Sequence, residues 1–129
     1  MLKQSKKSSK KLKKSVIDGL IIINSTFNNT IVTATDCYGK VIAWASGGTE
    51  GFKGAKKGTP FAAQSATEKL IKALLEQGTQ RIHISVSGPG PGRETSIRSF
   101  QTSGLQIISI KDITSVPFNG CRPPKKRRI

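Results

Sequence analysis

Gly58-Thr-Pro-Phe-Ala-Ala-Gln-Ser-Ala-Thr-Glu-Lys-Leu-Ile-Lys-Ala-Leu-Leu-Glu-Gln-Gly78 is the stretch that decides the fold, because both ends of a helix are written into it. Thr59 can accept from an orphan backbone N–H as N-cap, and Pro60 suits the first helical position, where no amide partner is lost. Ala62, Ala66, Leu70, Ala73 and Leu74 recur at three- and four-residue spacing and predict one apolar face. Glu68 and Lys72 stand i,i+4 in the favourable order on its flank. Gly78 can stop the helix in the left-handed conformation. The face opens with alanines and widens to leucines, so its first half can lie close against a sheet.

Upstream, the chain reads as strand. Gly19–Asn24 is an apolar, β-branched run that predicts a strand buried on both faces. Ser25-Thr-Phe-Asn-Asn-Thr30 breaks it with turn chemistry, Asn28 and Asn29 being residues that tolerate left-handed backbone. Thr30–Thr35 is the next strand, Asp36-Cys-Tyr-Gly39 closes a hairpin, and Lys40–Ser46 with Trp44 completes a three-stranded antiparallel meander. Downstream, Gln80–Ser87 alternates cleanly with Ile82, Ile84 and Val86 on one face. Following a helix, it should return beside the first strand and parallel to it. His83 falls on the other face, where a lone histidine reads as a surface residue rather than a ligand. Arg93–Ser103 is a second helix with Ile97 and Phe100 inward and Gly104 as stop, and Leu105–Ile110 is the last strand. The expected architecture is α/β, a mixed five-stranded sheet with two main helices.

At 129 residues this is one domain with a modest core. The charge is +15, from 22 Lys+Arg against 7 Asp+Glu, and it is unevenly placed. Residues 1–14 hold seven lysines and residues 122–129 hold five basic residues, neither with an acid, which leaves ten cations against seven acids between them. The picture is a near-neutral α/β domain over 16–116 with a basic disordered arm at 1–15 and an extended basic tail at 117–129, for which nucleic acid is the commonest partner. Such arms self-repel until a polyanion neutralises them. An anionic membrane surface competes with nucleic acid as that polyanion, but residues 1–15 carry only Leu2 and Leu12 as large apolar anchors, and no run reaches the ~18 apolar residues of a membrane span. Met1–Lys14 lacks the apolar segment of a secretory signal. Cys37 and Cys121 are too few for a disulfide framework or a zinc site and read as reduced thiols.

Gly47–Gly58 spreads glycines among Lys53, Lys56 and Lys57 and feeds the N-terminus of the Thr59 helix. Glycine lets backbone amides approach an anion, and lysines and free helix amides add positive charge. No Gly-Lys-Ser/Thr ends it, so it is not a Walker loop. A plain connecting loop would have the same composition. Gly88-Pro-Gly-Pro-Gly-Arg93 resembles a dinucleotide-binding turn only weakly, because of its prolines and the missing ribose-binding acid. Arg93 sits in a first helical turn, where a cation is disfavoured without a nearby anion. In the tail, Pro123 and Pro124 forbid helix, and eight residues reach about 25 Å when extended. Asn119-Gly120 is a turn pair prone to succinimide chemistry.

Phe27-Asn-Asn-Thr30, Gly51-Phe-Lys-Gly54, Gly58-Thr-Pro-Phe-Ala-Ala-Gln64, Gly88-Pro-Gly-Pro-Gly-Arg93 and Asn119-Gly-Cys-Arg-Pro-Pro-Lys-Lys-Arg-Arg128 together resemble, in order, the family of the universal small-subunit ribosomal protein numbered eleven, in its bacterial and plastid form. The resemblance covers about Gly19 to Ile129. It implies a ribonuclease-H-like fold without nuclease activity, on the platform of the small subunit, bridging helices of ribosomal RNA beside the cleft where messenger RNA exits. Position by position it implies ribosomal RNA contacts at Asn28 and Asn29, at Gly47, Gly48, Lys53, Gly54, Lys56, Lys57 and Thr59, at Arg93, and at Asn119, Arg122, Lys125, Lys126, Arg127 and Arg128. Arg98 joins them as a helix cation. The implied partners are small-subunit ribosomal RNA and neighbouring small-subunit proteins, with messenger RNA nearby and no membrane, small-molecule substrate, cofactor or metal. Phe118 stands where a histidine is usual, and lysines replace several loop arginines, giving up the bidentate phosphate fork. The lysine- and isoleucine-rich composition favours a plastid (chloroplast) stroma over a bacterial cytoplasm.

A nuclease on the same fold is the alternative from another class. Two-metal hydrolysis needs converging carboxylates, whereas Asp18, Asp36, Glu50, Glu68, Glu76, Glu94 and Asp112 fall on turns, helix flanks and strand ends. Few aromatics (5%) also favour recognition through phosphate and shape over base stacking.

Overall fold

The computed structural model describes residues 17–128; the expected arm at 1–15 lies outside them. Strand β1 (Asp18–Ser25) is followed by β2 (Thr30–Thr35), β3 (Val41–Ser46), helix α1 (Pro60–Glu76), β4 (Arg81–Ser87), α2 (Gly92–Thr102) and β5 (Gln106–Asp112). The five strands form one sheet in the order β3-β2-β1-β4-β5. The first three run antiparallel as a meander, and β4 returns beside β1, parallel to it, with β5 parallel on its outer side. This is the mixed five-stranded α/β arrangement expected from the sequence.

Register explains how the core is filled. Ile21 stands opposite Ala34 and Ile84, and Ile23 opposite Val32 and Val86, so all of these side chains project from one face. Both helices cover that face. From α1, Leu70, Ile71 and Leu74 reach the sheet, Phe100 arrives from α2, and Leu105 seals the edge beside β5. Each large apolar side chain removed from water contributes about 1.5–3 kcal/mol. Close to the N-terminus of α1 the packing is tighter, because Ala62, Ala63 and Ala66 let the helix approach β2 and α2.

The caps of α1 are those its sequence predicts. Thr59 Oγ1 accepts from the Ala62 N–H at 3.3 Å, Pro60 opens the helix, and Gly78 takes φ +76 after its end. The flanking pair differs: Glu68 accepts from Gln64 Nε2 at 3.2 Å instead of meeting Lys72. In the β2–β3 hairpin, Asp36 Oδ1 accepts from the N–H groups of Tyr38 and Lys40, and Gly39 has φ +87. Cys37 on this hairpin and Cys121 in the tail are both free and exposed.

One strand corrects the sequence reading. β1 is buried on one face only; Leu20 and Ile22 are half-covered on the other. With both helices on the same side, no second layer covers the opposite face among the described residues. It presents Trp44 and Thr33 from neighbouring strands, Ile22, and the His83–Ser109 pair, whose Nδ1 and Oγ lie 2.9 Å apart.

Candidate nucleic-acid interface

Three connecting segments, two of them rich in glycine, meet at one end of the sheet, the end where the parallel strands β1, β4 and β5 finish. Crevices outside the carboxyl ends of parallel strands are where open α/β sheets hold ligands. The first segment is the β1–β2 turn. Thr26 N–H donates to the Asn29 carbonyl at 2.8 Å, Asn29 N–H donates to Thr26 Oγ1 at 3.2 Å, and Asn29 Oδ1 accepts from Thr30 N–H at 2.8 Å. That network holds the turn without left-handed residues. Asn28 and Asn29 do not have the positive φ that they could tolerate, and among the described residues Asn119 in the tail (φ 65) is the non-glycine residue that does. Asn28 is exposed, whereas Asn29 is half-buried with its side-chain oxygen already engaged.

The second segment, the loop from Gly47 into α1, packs directly on this turn. Gly47 N–H donates to the Thr30 carbonyl at 3.3 Å. A Cβ on Gly47 would stand 3.0 Å from both Asn29 Oδ1 and the Lys57 carbonyl, and one on Gly58 would run into the Phe27 carbonyl oxygen. Both glycines are buried, and Gly48, Lys53, Gly54 and Lys56 are exposed around them, with Lys57 half-covered. The last five residues before Thr59, Gly54–Gly58, form a short 3-10 turn. Thr59 is spent on structure: besides capping α1, its hydroxyl donates to the Lys56 carbonyl at 2.7 Å. The loop's one acid, Glu50, faces Lys69 at 3.8 Å.

The third segment is Gly88–Arg93. Gly88 has φ +99, and Gly90 N–H donates to the Ser25 carbonyl at 3.1 Å. A Cβ on Gly90 would collide with Ser25 Oγ, and one on Gly92 would fall 2.6 Å from Ala63 Cβ. The alternating glycines therefore serve close packing of the β4–α2 connection on the β1–β2 turn. Three glycines at every second position are a sequence signal for backbone-on-backbone approach.

Arg93 is not an unpaired cation waiting for phosphate. Its Nη2 lies 2.7 Å from Asp112 Oδ2 and its Nη1 donates to the Gly88 carbonyl at 3.3 Å. Asp112 also accepts from the hydroxyl and the N–H of Thr114, at 2.6 and 2.9 Å. The Thr114 hydroxyl, then the Arg93 guanidinium and the Thr114 amide, hold this carboxyl well below the usual carboxylate range. Thr114 in turn accepts from Gly88 N–H at 3.1 Å, and Ile113 N–H donates to the Val86 carbonyl at 2.8 Å. Arg93, Asp112 and Thr114 thus clamp the root of the tail to the loop end. The partner of Arg93 lies 19 residues away, beyond the reach of local pattern.

From this root, residues 113–128 run without helix or strand, each of them exposed, carrying Asn119, Arg122, Lys125, Lys126, Arg127 and Arg128. Arg98 stands apart from the cluster, lining a shallow depression on α2 with Glu94, Ile97 and Gln101.

The acids do not converge. Asp18 pairs with Arg81 at 2.7 Å, Asp36 closes a hairpin, Glu50 meets Lys69, and Asp112 clamps the tail. Among the described residues, no three His, Cys, Asp or Glu side chains gather where they could hold a metal ion.

Comparison with known proteins supplies a second line. A family model described as "Ribosomal protein S11" matches residues 19–128. The chain is similar to the small ribosomal subunit protein uS11 of Acaryochloris marina, with 57% identity over 130 residues and all of both chains covered. It is 55% identical over 130 residues to the uS11 of Rippkaea orientalis, again over the whole of both chains. With the uS11 of Thermosynechococcus vestitus it shares 58% identity over 120 residues, covering 93% of this chain and 92% of the relative.

Proposed function

The chain belongs to the ribosomal protein S11 family, a structural protein of the small ribosomal subunit and not an enzyme, and on that premise we propose that it binds small-subunit ribosomal RNA through the loop end of its sheet. The observation that carries the proposal is convergence. The Thr26–Asn29 turn, the Gly47–Thr59 loop, the Gly88–Arg93 connection and the root of the basic tail occupy one end of the molecule, stitched together by hydrogen bonds and glycine contacts.

Asn28, Gly48, Lys53, Gly54, Lys56, Lys57 and the amides around Thr59 make the body's RNA surface, where exposed lysines stand beside approachable backbone, while half-buried Asn29 and buried Gly47 hold the turn and the loop together beneath it. Arg93 contributes chiefly by holding the tail root in place. Asn119, Arg122, Lys125, Lys126, Arg127 and Arg128 form a second, extended surface that leaves from the same end, so body and tail can engage different RNA helices. That geometry supports bridging of RNA helices at the platform, beside the messenger RNA exit cleft and neighbouring small-subunit proteins. Arg98 is a peripheral contact in this scheme.

Cyanobacterial relatives together with the lysine- and isoleucine-rich composition support a plastid ribosome, with the bacterial cytoplasm as the alternative. Sedimentation of the tagged protein from lysed cells and from purified plastids, followed by a high-salt wash, tests both points. Retention on the small subunit through the wash is expected. A protein that runs free, or travels with another nucleic acid, overturns the reading.

A further inference from the structure

The chain has seven aromatic residues, and only Phe100 is buried. Phenylalanine normally belongs to the core. Here four of the five phenylalanines sit at the loop end or on the tail that leaves it: Phe27 in the β1–β2 turn, Phe52 in the glycine-lysine loop, Phe61 in the first turn of α1, and Phe118 in the tail. Phe27 is 75% exposed and Phe61 64% exposed. Low aromatic content argues against base stacking only if those aromatics are spent inside the fold, and these are not.

Their setting is specific. The Phe61 ring is braced edge-to-face by Phe52, with centroids 5.7 Å apart and planes at 80°. The Phe27 carbonyl packs on Gly58, which brings residue 27 to the start of α1. Thus Phe27 and Phe61 flank the Gly58–Thr59 junction, where exposed Lys53 and Lys56 also stand. Glu50, the acid in this loop, is turned toward Lys69.

We infer that Phe27 and Phe61, the latter braced by Phe52, form a stacking platform for unpaired nucleotides of the RNA, with the adjacent lysines taking their phosphates. The inference rests on the RNA-binding reading above and narrows its ligand from folded RNA in general to looped, bulged or flipped-out bases. Flat π-faces bordered by cations match a nucleotide, which offers a base face and a phosphate together. Paired bases within a helix keep their faces stacked on one another, so only unpaired ones can use the platform. A docking site for an apolar protein segment would be expected to have a neutral rim, and this one is cationic.

The test uses the full chain and two sets of small-subunit ribosomal RNA fragments, one with unpaired loops and one fully duplexed. Phe27→Leu and Phe61→Leu keep apolar bulk and remove the π-face, and because both side chains are exposed, their thermal unfolding midpoints should match the wild type. Stacking contributes roughly five- to 150-fold in affinity per base. The double variant should therefore bind looped RNA at least about tenfold more weakly, with an unchanged salt slope and no loss on duplex. A fluorescent base analogue at an unpaired position should be quenched by the wild type and not by the variant. Unaltered affinity of the Leu variants for looped RNA overturns the platform while leaving RNA binding intact. Unaltered affinity with loss of a neighbouring protein from reconstituted subunits reassigns the patch to a protein contact. Failure of the wild type to bind either RNA overturns the underlying reading as well.

Discussion

Gly58→Ala is the most informative single change in the body of the protein. Gly58 has ordinary backbone angles, so alanine brings no intrinsic φ strain there; what it brings is a methyl group placed on the Phe27 carbonyl oxygen, with the Phe27 and Asn28 carbonyl carbons at 3.3 and 3.4 Å. An ordinary C···O approach is about 3.3–3.6 Å, so the loop has to withdraw from the β1–β2 turn by about 1 Å. Overpacking of this kind costs about 1–3 kcal/mol, and because the loop can yield toward solvent, the low end applies. The withdrawal also parts Asn28 and Asn29 from Lys56 and Lys57. If one or two phosphate contacts go with it, the log–log salt slope of RNA binding falls by about 0.7–1.5. Gly39→Ala is the control: φ is +87 and nothing lies within 4 Å, at the opposite end of the sheet. Forcing a side chain into that conformation costs about 1–2 kcal/mol and should leave RNA affinity untouched. Urea unfolding and RNA titration at three salt concentrations read both quantities. If the two variants lose similar stability and both retain full RNA affinity, loop–turn spacing does not govern binding and the reasoning fails.

Deleting Arg122–Ile129 removes five cations and should lower the salt slope by about 3–4; an unchanged slope in filter binding means that the tail does not meet phosphate. The Asp112 carboxyl titrates below its unfolded value, so its contribution is present above about pH 4 and is lost as the pH falls through the lower folded value. Arg93→Gln should raise the Asp112 pKa toward the ordinary range, read from its carboxyl NMR shift, and an unmoved titration would show that the Thr114 bonds suffice. Phe100→Ala empties the centre of the core and should cost about 3–5 kcal/mol in denaturant unfolding. A loss below 1 kcal/mol would mean that α2 packs differently from the arrangement described.

Much of the fold was legible because its signals are local. The caps of α1, the alternation of β4, the Asp36–Gly39 hairpin and the return of β4 beside β1 all follow from neighbouring residues and chain-connection rules. What sequence could not give depends on which side the helices take. Leu20 and Ile22 read as core because an apolar run carries no sign of a missing second layer. The site divides in the same way. Its lysines, glycines and tail arginines were visible as composition, whereas the Arg93–Asp112–Thr114 clamp joins residues far apart in the chain. Asn28 and Asn29 entered the site through the resemblance, and the turn that sequence reads from their tolerance of left-handed backbone is held instead by the Thr26 hydroxyl and the Asn29 side chain. The exposure of Phe27 and Phe61 was likewise hidden, since hydrophobic residues are read as interior until geometry says otherwise.

Ser25 is the seat on which Gly88 and Gly90 rest, and it is made more than sixty residues before they are. A ribosome synthesising this chain therefore releases the two halves of the contact at well-separated times. Until β4 has emerged and slotted beside β1, the β1–β2 turn has nothing packed on it from that side, and the tail has no root to leave from. The complete surface exists only in a finished chain. An interrupted translation product would carry some of the same lysines without their mutual geometry.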